Sequence, residues 1–286
     1  MKKIQISHKI NAPKSKVWQM MLEKEPYSIW TFDFDPGSRY EGELSQGSEI
    51  KFLAHNGAGL LGYIDKFEYE RFISFRFKGE IVNGKEILGF PENSNWTESY
   101  ENYKFSEENG VTVVEIECLA PEEHYEFMSQ MWGSAIKRLE QICVAPFVMK
   151  TSIEINTSIE KVWFSITDSE EFSKWLPQVK LISKFENGSA IEVQAVNPDG
   201  SIMIVDGKEI KWNGVIEKFE PTNEFTNYYD NESTDLIRES FFLFPLGDSK
   251  TNISLIQTCR DYENSKGWKH GAETTLLALK NYLEKE

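Results

Sequence analysis

An α+β chain of two tandem domains is predicted, each a curved antiparallel sheet around a long C-terminal helix with two short helices. Three observations predict it. Ile10-Asn11-Ala12-Pro13, Val17-Trp18 and Trp30 recur as Ile155-Asn156-Thr157-Ser158, Val162-Trp163 and Trp175, at a constant offset of 145. A repeat at that interval is a duplicated domain, since solenoid periods are far shorter. The order strand, two helices, run of strands, long amphipathic helix is read in both halves. The length of 286 residues suits two ordinary domains. The copies are placed at 1–143 and 146–286, joined by a short linker containing Pro146.

In the first copy, residues 3–11 alternate with Ile4, Ile6, His8 and Ile10 on one face, which predicts a strand. Pro13 suits the first turn of the helix that follows, because its missing N–H would be unpaired there anyway. Residues 23–30 predict a second short helix or turn. Strands are predicted at 49–55, 60–69, 71–78, 96–106 and 111–119, bounded by turn signals such as Glu108-Asn109-Gly110. A long helix at 121–143 carries Met128, Trp132, Ala135, Ile136, Leu139 and Ile142 at helical spacing. The second copy predicts a strand at 148–156, helices at 158–167 and 169–176, several strands, and a helix near 266–284.

More of the repeat aligns at changing offsets. Gly47-Ser48 matches Gly188-Ser189, and the Gly62–Glu68 stretch matches Gly214–Glu220. Glu98-Ser99-Tyr100 matches Glu239-Ser240-Phe241, and Cys118 matches Cys259. Each change of offset predicts a loop of different length, at 79–95 in the first copy and 197–208 in the second. Ile87, Leu88 and Phe90 make the first loop apolar, as a lid over a cavity or a packing surface would be.

Composition narrows the function. The net charge of −15 divides almost evenly between the halves, so no basic face for nucleic acid is expected. No stretch is long enough to span a membrane. Three cysteines without metal-type spacing argue against a disulfide framework and imply a reducing cytoplasm. The four histidines, His8, His55, His124 and His270, lie at no metal-ligand spacing, and no nucleophile or phosphate-loop motif is found. Asn56-Gly57-Ala58-Gly59 reads as a hairpin turn. No catalytic residue, metal or cofactor is therefore expected.

The Ile-Asn-Ala-Pro…Val-Trp…Trp pattern, the Gly-led strand ending in Phe-Glu, and the C-terminal amphipathic helix resemble the START-like (SRPBCC) superfamily. Within it the chain is most similar to the AHSA-type branch, named after the activator of heat-shock-protein-90 ATPase. The resemblance implies a helix-grip fold enclosing a cavity. It implies binding of a small apolar or amphipathic molecule, with a co-chaperone-like protein partner as the alternative and a cyclase- or hydrolase-like enzyme third.

Strand parity then selects residues. Ile73, Phe75 and Phe77 should face inward, with counterparts Phe225, Asn227 and Tyr229. Trp96, Glu98 and Tyr100 form another inward set, opposite Ile237, Glu239 and Phe241; Leu255, Gln257 and Cys259 form a third. An inward carboxylate implies either a solvated cavity mouth or a polar anchor for a ligand. The expected ligand-binding residues are Trp175, Trp212, Phe225, Asn227, Tyr229, Glu239, Phe241 and Gln257 in the second copy. Trp96, Glu98 and Tyr100 are expected in the first.

Overall fold

Residue alternation along the strands builds two separate sheets. The structure, a computed structural model, describes residues 1–89, 99–145, 147–230, 234–260 and 262–285. It divides into two units, Met1–Val144 and Ala145–Glu286.

The first unit runs β1 (Lys2–Ile10), α1 (Lys14–Leu22), α2 (Lys24–Trp30), β2 (Arg39–Gly42), β3 (Glu49–Leu53), β4 (Gly59–Glu68), β5 (Phe72–Val82), β6 (Lys85–Leu88), β7 (Tyr100–Glu108), β8 (Val111–Ala120) and α3 (Tyr125–Val144). The second runs β9 (Phe147–Ile155), α4 (Ile159–Thr167), α5 (Ser169–Trp175), β10 (Val179–Ser183), β11 (Ala190–Ala195), β12 (Ile204–Val205), β13 (Lys208–Glu209), β14 (Lys211–Glu220), β15 (Glu224–Tyr229), β16 (Leu236–Pro245), β17 (Thr251–Cys259) and α6 (Tyr262–Leu283).

Among the described residues the sheet orders are β1-β8-β7-β5-β4-β3-β2 and β9-β17-β16-β15-β14-β11-β10. The two are the same topology, strand for strand. Even a bulge recurs, between Ile64 and Lys66 in one and Ile216 and Lys218 in the other. The length differences are short hairpins: β6 folds back on β5 in the first unit, and β12 pairs with β13 in the second. Ile87 and Leu88 pair along β5 with exposed side chains, so the apolar stretch there is an extended hairpin and not a cover over a cavity. Phe90 lies outside the described residues.

Each repeated residue has a packing reason. Trp18 and Trp163 are buried, and each meets the same aromatic neighbour, Phe67 at 5.7 Å and Phe219 at 5.1 Å between ring centroids. Trp30 and Trp175 each donate their indole N–H to a carbonyl of the preceding helix, Met21 at 2.9 Å and Ser165 at 2.8 Å. A side chain at Gly62 or Gly214 would collide with the backbone carbonyl of Arg76 or Tyr228 on the adjacent strand, which explains the glycine shared by β4 and β14. Ser158 caps α4 by accepting from the Lys161 N–H. The core of the second unit gathers Leu276, Leu279 and Leu283 of α6 against Phe225, Phe241, Ile253 and Leu255 of the sheet.

The hydrogen-bond ladders correct the alignment of the copies. Phe75 pairs with Glu101, and its counterpart Asn227 pairs with Glu239. Ile4 pairs with Cys118, and its counterpart Met149 pairs with Gln257. Glu101, not Glu98, is therefore the counterpart of Glu239. Cys118 corresponds to Gln257, not to Cys259, and Tyr103 corresponds to Phe241. Thr112 and Thr251 confirm the register. Each donates its hydroxyl to the same turn, to the Ala12 carbonyl at 2.7 Å and the Thr157 carbonyl at 2.9 Å.

Candidate cavity of the second unit

The inner face of β14, β15 and β16, together with α4, α5 and α6, encloses a cavity of about 170 Å³. Its walls are mostly apolar. Trp212, Phe225 and Phe241 come from the sheet, Phe172 and Leu176 from α5 and the turn after it, and Trp268 from α6. Trp212 and Trp268 meet edge to face, with centroids 6.1 Å apart.

Four polar side chains break this apolar wall: Asn227, Tyr229 and Glu239 of the sheet and Thr275 of α6. The first three are linked to one another. They form a chain of hydrogen bonds. The Tyr229 hydroxyl donates to Glu239 Oε2 at 3.1 Å, and Gln257 donates to Glu239 Oε1 at 2.9 Å. Asn227 Nδ2 makes a long contact to the Tyr229 hydroxyl at 3.4 Å. Both Glu239 oxygens thus have donors, which offsets part of the cost of burying a carboxyl. Burial still raises the Glu239 pKa, opposed by the Gln257 and Tyr229 hydrogen bonds. Burial also pushes the Tyr229 phenol well above its usual range, with the adjacent Glu239 carboxylate reinforcing it. The chain ends at Asn227 Oδ1, a buried acceptor that has no hydrogen-bond partner among the described residues.

Trp212, Phe225, Asn227, Tyr229, Glu239 and Phe241 therefore line one cavity, and Gln257 stands behind Glu239. Trp175 does not reach it. Its indole packs on Phe172 with centroids 4.4 Å apart and is tied to Ser165, so it is a core residue. In the first unit Tyr100 points away from the interior, with its hydroxyl on Glu117 at 2.8 Å and the Arg76 guanidinium over its ring. The inward residues of that strand are Glu101, Tyr103 and Phe105, because the true register lies three residues from the sequence match. Trp96 and Glu98 lie outside the described residues. Val179, Leu181, Val193, Leu236, Trp268 and Thr275 also line the cavity and were not anticipated. The signal for Trp268 was present: continuing the α6 stripe of Leu276 and Leu279 back through Ala272 reaches it at helical spacing.

Residues 156–284 match the family model AHSA1, described as "Activator of Hsp90 ATPase homolog 1-like protein". The match covers nearly all of the second unit and none of the first. The AHSA1-type architecture is then repeated by the first unit, whose sheet has the same strand order. No curated protein is significantly similar to the chain. Solved structures similar to it include the di-domain ARO/CYC StfQ from the steffimycin biosynthetic pathway, with 11% identity and a TM-score of 0.39 over 99% of this chain and 98% of that one. The di-domain ARO/CYC BexL from the BE-7585A biosynthetic pathway has 13% identity and a TM-score of 0.40 over 99% of both. The Aha1 dimer from Colwellia psychrerythraea has 17% identity and a TM-score of 0.39 over 48% of this chain and 96% of that one.

The expectation that the chain is not an enzyme is corrected by these findings. Structures matched over both units include two di-domain ARO/CYC proteins of biosynthetic pathways, so the statement that the chain is not an enzyme is withdrawn. The AHSA1 match of the second unit supports a ligand-binding or co-chaperone-like module. Among the described residues no helix is long and apolar enough to cross a membrane.

Proposed function

We propose that the second unit binds a small, mainly apolar molecule that carries one hydrogen-bond donor. The observation that supports it is Asn227 Oδ1, a buried acceptor without a partner among the described residues, at the wall of a mainly apolar cavity. An unpaired buried acceptor costs about 1–3 kcal/mol. A hydroxyl or N–H on a bound molecule removes that cost, and the aromatic walls supply most of the affinity by burying apolar surface. Asn227 Nδ2 lies 3.4 Å from the Tyr229 hydroxyl, which leaves the amide oxygen as the group open to a ligand's donor.

The same chain favours a second reading. A carboxyl with a raised pKa, bonded to a tyrosine hydroxyl beside a mainly apolar cavity, has the composition of a proton donor to a reacting group. Native mass spectrometry of freshly purified protein tests the binding. The wild type is expected to carry a small-molecule adduct that Asn227→Leu lacks. An adduct of equal occupancy on both forms would count against Asn227 as the recognition group. Conversion of the released molecule on prolonged incubation with wild type but not with Glu239→Gln would establish the second reading.

A further inference from the structure

The first unit has its own cavity, of about 240 Å³, between the sheet, α2 and α3. Its chemistry differs from that of the second. Six aromatic rings surround it: Tyr27, Trp30, Phe34, Phe52, Tyr103 and Trp132. They touch one another in a continuous belt, Phe34 on Trp132 at 5.0 Å, Trp132 on Trp30 at 6.0 Å, Trp30 on Tyr27 at 5.4 Å, and Tyr27 on Phe52 at 5.9 Å. The charged groups at its wall are both acidic, Glu101 and Asp35, and no Lys, Arg or His lines it among the described residues.

Glu101 occupies the place of Glu239 but lacks its donors. Tyr229 and Gln257, which satisfy Glu239, are replaced in the first unit by Phe77 and Cys118. Glu101 Oε2 accepts from the Tyr103 hydroxyl at 2.6 Å, while the other oxygen has no donor among the described residues. The carboxyl lies deep in the unit yet touches the cavity. Aromatic rings carry negative faces, and a carboxylate among them adds a full charge. That combination attracts a cation of low hydration energy.

We propose that this cavity binds a small organic ammonium ion, its charge against the free Glu101 oxygen and its carbon groups against the aromatic rings. The volume suits a compact amine, being below the range of about 300–1,000 Å³ typical of pockets for drug-sized ligands. Burial holds the empty site's Glu101 carboxyl up at about 7. A bound cation favours the ionised form, so affinity is expected to rise with pH until Glu101 is ionised and then level off. The other groups facing it are Tyr103 on its own strand, Tyr27 of α2, Cys118 of β8 and Asp35. Burial raises the first three, which keeps them neutral across this interval. Asp35 accepts from the His55 ring at 2.7 Å and from the backbone N–H groups of Gly37 and His55.

Calorimetric titration of the full chain with choline and with its uncharged isostere 3,3-dimethylbutan-1-ol tests the proposal. Choline is expected to saturate one site, and the isostere to bind at least tenfold more weakly to the same protein. Glu101→Gln is expected to weaken choline at least tenfold and to flatten the pH dependence between 5.5 and 8. Glu115→Gln, on the exposed outer face, serves as the control and is expected to change neither. Absence of saturable choline binding, equal affinity for the two probes, or an unchanged affinity in a folded Glu101→Gln would each overturn it. The comparison of the two probes needs no variant, so a misfolded Glu101→Gln does not leave the proposal open.

Discussion

Replacing Asn227 by Leu is expected to stabilise the second unit while removing its ligand recognition. Asn227 is 2% exposed, and its Oδ1 has no partner among the described residues. Its side-chain donation to Tyr229, at 3.4 Å, is long and contributes little. Removing an unsatisfied acceptor returns about 1–3 kcal/mol. The fold tolerates an apolar side chain at this place, since the first unit holds Phe75 there at 1% exposure. For a unit of this size each kcal/mol shifts the midpoint by about 2–4 °C. A rise of roughly 2–12 °C is therefore expected in the unfolding transition of the second unit. Differential scanning calorimetry of the ligand-free chain reads it, with Trp163→Ala identifying which transition belongs to that unit. An unchanged or lower midpoint would mean that Oδ1 is already satisfied, and the argument for a ligand donor would fail with it.

Trp18→Ala and Trp163→Ala are each expected to cost about 3–5 kcal/mol in urea unfolding, because both rings are buried against an aromatic neighbour. Glu101 gives the first unit a pH dependence whose sign is the reverse of a salt-bridged carboxylate. Its folded pKa of about 7 lies above the unfolded value, so the folded state holds the extra proton and stability falls as pH rises from about 4.5 to 7. At about 1.4 kcal/mol per pKa unit the loss is on the order of 3 kcal/mol, and Glu101→Gln is expected to abolish it in melts compared from pH 4.5 to 8. Burial pushes the Cys143 and Cys259 thiols up to about 12 and Cys118 higher still. All three are therefore expected to resist a thiol reagent at pH 8 until the chain unfolds.

Much of the fold was legible because it rests on periodicity. The Val-Trp pairs, the glycine shared by β4 and β14, and the apolar stripe of α3 follow from local spacing and sit where packing requires them. In the second unit, parity brought Asn227, Tyr229, Glu239 and Gln257 to one side because β15, β16 and β17 carry inward sets that alternate regularly there. The first unit was misread where letters matched and ladders did not. Glu98-Ser99-Tyr100 copies Glu239-Ser240-Phe241 in sequence, but the β5–β6 hairpin shifts the strand by three residues and turns Tyr100 outward. Register is set by pairing with a neighbouring strand, and a shift by an odd number exchanges the two faces. Trp175 was misplaced for another reason. An aromatic ring in a short helix reads alike whether it lines a cavity or fills a core, and only its hydrogen bond to Ser165 separates the two.

A crystal structure of the protein as purified, with any bound molecule retained, tests the central claim most directly. The account predicts density in the cavity between β15, β16 and α6, with a donor atom within about 3.2 Å of Asn227 Oδ1. An empty cavity, or Asn227 Oδ1 taking a hydrogen bond from the protein itself, would contradict it.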